Sequence, residues 1–156
     1  MKDLLQNQYE LVLSSRNTLI DYIKSINSSD FIAEDSSFGR GSIRNLLVHI
    51  CDTYAAWVGE RALKKSLSFL PFTQFKNVDD CSAYFRTIDC YIADFLIKFE
   101  GDYQNPISIT KNEETLLISP LELFTHVITH EFHHKGQIMS LSRYLSYIPV
   151  DADVIR

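Results

Sequence analysis

Three of the chain's five histidines fall in the segment Thr129-His130-Glu131-Phe132-His133-His134-Lys135-Gly136-Gln137, and a fourth, His126, stands just upstream. His130 and His134 are four residues apart. On a helix they project from one face, about 5–6 Å apart at Cβ, where two neutral imidazoles can share one metal ion. The fifth histidine, His49, lies far off in sequence within another helical pattern. A pair plus a distant third is the donor set of an open three-histidine site.

The same letters contain H-E-x-x-H, the zinc metalloprotease pattern in which Glu131 would be the general base. That chemistry also needs a further ligand downstream. No His or Glu follows His134, and the only later carboxylates are Asp151 and Asp153. The peptidase reading is therefore set below the three-histidine one.

The elements that must carry these residues are helical. Leu5, Tyr9, Val12, Leu19, Ile23 and Ile26 recur at helical spacing, interrupted by Arg16, and predict a first helix ending near Ser28-Ser29. Ser42 is a suitable N-cap for a second helix from about Ile43 to Lys65. The connection from Ser66 to Lys76 contains the unusually apolar Phe69-Leu70-Pro71-Phe72, expected to cover or line a cavity. A third helix is predicted from about Val78 to Glu100. Ile107-Ser108-Ile109 and Leu116-Leu117-Ile118 flank a polar turn and read as a short hairpin or a loop. Ser119-Pro120-Leu121-Glu122 opens the last helix with Ser at N-cap, Pro at N1 and Glu at N3, and that helix should reach Tyr144 or Leu145. The expected class is all-α: a four-helix bundle forming one domain over 1–156, with a long connection between helices 2 and 3.

Helical phase sorts the histidines. His130 and His134 join Leu123, Val127, Ile138, Leu141 and Leu145 on a core-facing stripe, while His126 and His133 fall on its flank beside Gln137. Leu121, Ile128, Phe132 and Met139 form a second apolar stripe, which motivates a homodimer. Around His49, Asn45, Asp52, Thr53 and Ala56 leave space, and Asp52 is a candidate to orient the imidazole.

Composition narrows the function. A net charge of −5 gives no footprint for nucleic acid or anionic lipid, so neither is expected as a partner. No apolar run reaches a membrane span, and no secretory signal is visible at Met1-Lys2-Asp3-Leu4-Leu5. Cys51, Cys81 and Cys90 show no C-x-x-C spacing and read as buried reduced thiols. A cytoplasmic protein is the expectation.

Two motifs resemble the DinB-like family: His126-x-x-x-His130-Glu131-x-His133-His134-Lys135-Gly136-Gln137, and Ser42-Ile43-Arg44-Asn45-Leu46-Leu47-x-His49. The order of elements is similar over nearly the whole chain. Lys135 stands where many members have Arg. The resemblance implies a bundle binding a divalent metal through His49, His130 and His134, often as a dimer. It also implies a metal-dependent enzyme acting on a small molecule. One such activity is an S-transferase using a low-molecular-weight thiol such as bacillithiol, and a metal-dependent hydrolase or a non-catalytic stress-associated metal protein are the alternatives. Zinc or nickel lead as the metal, with iron and manganese as further candidates. The resemblance assigns no catalytic residue.

Overall fold

A computed structural model describes residues 2–35 and 37–156; Met1 and Ser36 lie outside the described residues. The element order is α1 (Lys2–Ile23), α2 (Ser28–Ile32), α3 (Ile43–Tyr54), a π-helical continuation (Ala55–Ala62), α4 (Val78–Lys98), β1 (Ile107–Lys111), β2 (Glu114–Ile118) and α5 (Pro120–Tyr144). The protein is mostly helical with a small antiparallel sheet, so the all-α expectation is amended by one hairpin. The strands pair Ile107 with Ile118 through Lys111 with Glu114. Asn112 and Glu113 both take positive φ, 50° and 67°, the twist a two-residue hairpin turn demands.

The caps lie where the sequence places them. Ser42 Oγ accepts from the Asn45 amide at 3.0 Å. Ser119 and Glu122 close a reciprocal capping box with Pro120 in the first turn of α5. Asn77 and Asp80 form a second box at the start of α4. Two predicted helices end differently. The first stops at Ile23, and a separate turn of helix, α2, follows and buries Phe31. The second is α-helical only to Tyr54, after which the chain widens into the π-helix.

α1 packs on α4 and α5, and α3 packs on the same two helices. Their apolar faces meet in one core that includes Leu19, Leu46, Ile50, Ile88, Phe95, Phe124 and Ile138. The second stripe of α5 is partly covered by the chain itself. Ile128 is buried, Leu121, Phe132 and Met139 are half-buried, and the segment Pro149–Asp153 lies beside Phe132 and Met139. Cys51 and Cys81 are buried free thiols, as expected, whereas Cys90 is exposed.

The break at Arg16 is the most informative departure from the apolar pattern of α1. Arg16 is 2 % exposed. Its Nε and Nη2 donate to the two carboxylate oxygens of Glu131 at 3.0 and 2.8 Å. Its Nη1 donates to Asp89 at 2.7 Å. Tyr54 donates to Glu131, and Tyr9 to Asp89, each at 2.7 Å. Burial works against the charge on Glu131, but Arg16, with Lys135 and Tyr54, outweighs it and holds the carboxyl below its usual range.

A buried charge stripped of its partner is costly, whereas an apolar pair of similar volume is tolerated. Arg16→Met alone is expected to cost about 3–5 kcal/mol in denaturant unfolding, and Arg16→Met with Glu131→Leu less than that. Additive losses in the double variant would refute the pairing.

Candidate metal centre

α3 and α5 lie side by side, and their contact brings His49 against His130 and His134. One potential ligand atom from each ring falls within 4.8 Å of the others. The ring centroids stand 4.9 Å (His49–His130), 4.7 Å (His49–His134) and 4.4 Å (His130–His134) apart. The Nε2 atoms of His130 and His134 are 3.0 Å apart. Two nitrogens bound tetrahedrally to one zinc ion would stand about 3.3 Å apart, so small rotations of the side chains suffice.

All three imidazoles are held neutral, the form that binds metal. Burial, then Arg40 and His134, lower His49 to about 4. Burial and the neighbouring histidines lower His130 to about 3. Burial lowers His134 too, partly opposed by its hydrogen bond to Gln137. That bond, His134 Nδ1 donating to Gln137 Oε1 at 2.7 Å, fixes the tautomer and leaves the Nε2 lone pair facing the other rings. The Nδ1 of His130 is buried with no partner. One ring nitrogen has thus given up water without replacement, and a shared cation would use the lone pairs that converge among the three rings.

The surroundings confirm some expectations and correct others. His126 and His133 are exposed on the flank, as helical phase predicts. Gln137, beside that flank, reaches the site through its bond to His134. Asp52 does not orient His49: its Oδ1 accepts from Tyr84 Oη at 3.0 Å, on the α4 side. The His49 ring instead meets Arg40, whose Nη2 lies 3.4 Å from Nε2. Thr53 donates to the His49 carbonyl at 2.9 Å and stands 3.5 Å from His130 Nε2. Glu131 cannot serve as a base here, because it is fully buried and bonded to Arg16 and Tyr54. The protease pattern fails at that residue.

The triad lies beside a wide cleft of about 540 Å³, lined among others by His49, Thr53, Trp57, Phe69, His126 and His130. Phe69 therefore does line a cavity, as the apolar loop suggests. Arg40, Arg61 and Lys111 also line it and were not singled out by sequence. Arg61 was hidden by phase. Continued α-helical winding would carry it about 120° round from His49, while the π-helix keeps it on the same side. Lys111 arrives by tertiary packing of the hairpin against the π-helix, and no local pattern announces it.

The DinB family model matches residues 1–156, and the chain belongs to the DinB family. The chain is similar to the uncharacterized protein YizA of Bacillus subtilis (strain 168), 25% identical over 118 residues, which is 74% of each chain.

His49 and His130 titrate near 6.5 when unfolded and at about 4 and about 3 when folded. Between those limits the unfolded chain holds more protons, so its population rises as pH falls. Metal-free protein is expected to keep this contribution in full above pH ~6.5 and to lose melting temperature on acidification towards pH 5. His130→Ala should flatten that slope; an unchanged slope would show that these rings are not held neutral.

Proposed function

We propose that the chain is a metal-dependent enzyme whose four long helices form a bundle around a divalent ion held by His49, His130 and His134. The observation that supports it is the convergence of three neutral imidazoles beside an open cleft rather than within a sealed core. A sealed site is structural, whereas three protein ligands beside a cleft leave room for a reactant. Zinc or nickel suits an all-imidazole set.

The reaction we propose is transfer of a low-molecular-weight thiol to a small electrophile. The thiol gives up its proton to solvent, its sulfur bonds to the electrophilic carbon, and the leaving group departs with the electron pair of the broken bond. A divalent ion bound there would supply a Lewis acid favouring the thiolate, the reactive form of the thiol. The protein's own groups then have defined tasks. Gln137 holds the His134 ring in place through Nδ1. Trp57 and Phe69 give apolar walls for the electrophile. Thr53, close to His130, leaves a small polar space at the triad.

Metal analysis of purified protein should give about one ion per chain. His49→Ala, His130→Ala and His134→Ala should each abolish it, and Gln137→Ala should weaken binding by about 10–100-fold. Full metal content in all three histidine variants would refute the site. A panel of thiols against a chromogenic electrophile should show turnover that depends on the thiol and disappears with chelation. Thiol-independent hydrolysis would replace the transferase reading with a hydrolase.

A further inference from the structure

We infer that the cleft selects an anionic small molecule, its acid group received by Arg61 and Lys111 beside Trp57 and its reactive end directed to the three histidines. Which end reacts rests on the proposed metal-dependent activity; the anion site stands on its own residues.

The chain as a whole is acidic, at −5. The cleft is the reverse. Arg40, Arg61 and Lys111 line it, and the only carboxylate among its lining residues is Asp52. Asp52 is already engaged by Tyr84, and burial pushes its carboxyl up. Among the described residues none of the three cations is in an ion pair. Glu114, the register partner of Lys111 across the hairpin, makes none with it.

Two of the cations are held against one ring. The Arg61 guanidinium lies 4.9 Å from the Trp57 centroid and the Lys111 ammonium 5.3 Å. Arg61 is steadied by its Nε donating to the Thr110 carbonyl at 3.2 Å. Its Nη1 is buried and has no hydrogen-bond partner. Two cations without ion pairs beside one ring, one of them with a spare buried donor, are under-satisfied, and an anion relieves that condition. A planar guanidinium suits a carboxylate or a phosphate. Arg40, next to His49, extends the positive wall to the triad. Such a cleft concentrates anions against the protein's own negative field.

Trp57 is the chain's one tryptophan, so its fluorescence reports on this site alone. The probes are N-acetylcysteine, its carboxamide, and inorganic phosphate, titrated into chelator-treated protein and into zinc-loaded protein. N-acetylcysteine should shift Trp57 emission saturably and bind about tenfold more tightly than the uncharged amide, the worth of one charge-assisted contact. Lys111→Gln and Arg61→Gln should each erase most of that ratio. Lys64→Gln, an exposed cation outside the cleft lining, should not. Because Arg61 packs on Trp57, circular dichroism checks its fold, and the exposed Lys111 gives the decisive variant. Tighter binding of phosphate than of N-acetylcysteine, lost in the same variants, supports the site and assigns it to phosphate. Equal affinity for acid and amide, or a ratio unchanged in Lys111→Gln, overturns the inference. The chelator-treated arm separates the two proposals: an acid preference without metal uptake or turnover defeats the enzyme and keeps the anion site, and the converse defeats only the anion site.

Discussion

The ion pair between Arg16 and Glu131 sets the rotation of α5, and the placing of the histidine triad follows from that rotation. Glu131 is next to His130 in sequence and about 100° from it round the helix. Locking Glu131 against α1 therefore turns His130 and His134 towards α3, where His49 waits. The network reaches all four long helices: Tyr9 and Arg16 from α1, Tyr54 from α3, Asp89 from α4 and Glu131 from α5. Buried charge is a poor source of net stability, but removing one member is costly, so alternative helix rotations are penalised. Here a polar cluster in the core acts chiefly on which face of each helix is presented.

α5 carries this logic twice. Glu131 and Lys135 form one i, i+4 pair facing α1, and His130 and His134 form another facing α3. Lys135 is buried, donates to Ser15, and lies over the Phe132 ring at 3.7 Å. Burial pushes its ammonium down to about 8 in spite of Glu131 nearby. Ser15 in turn donates to the Ala152 carbonyl, which ties the C-terminal segment over the α1–α5 seam. The segment Lys135 helps to hold is the one lying along the second apolar stripe of α5.

What could be read from sequence was local. The Ser42 and Ser119 caps, the turn at Asn112-Glu113 and the spacing of His130 and His134 all follow from short-range geometry, and the structure has them. Long-range pairings were not legible. Arg16 registered as a flaw in an apolar stripe because its partner is 115 positions away in sequence. Asp52 was expected beside His49 on helical phase alone, yet Tyr84 of α4 takes its carboxylate. Arg61 was missed because an ideal helix was assumed past Tyr54, and the wider winding there re-phases it.

That winding has a visible physical partner. Gly59, within the π-helix, faces Leu67 and Tyr91 so closely that a Cβ there would lie 2.9 Å from Leu67 Cδ1 and 3.1 Å from a Tyr91 ring carbon. The connection after the helix can therefore fold back against it, which carries Phe69 to the cleft. π-Helical turns recur at functional sites because they re-aim side chains without breaking the helix. Here the α-helical half of the segment supplies His49 of the triad, and the widened half supplies Trp57 and Arg61. His49 and the Trp57–Arg61 wall thus sit on two windings of one continuous helix, with the buried Tyr54, bonded to Glu131, at the junction. The same residue that helps to fix the rotation of α5 also marks where α3 changes its pitch, so the triad and the wall keep a constant relation to one another.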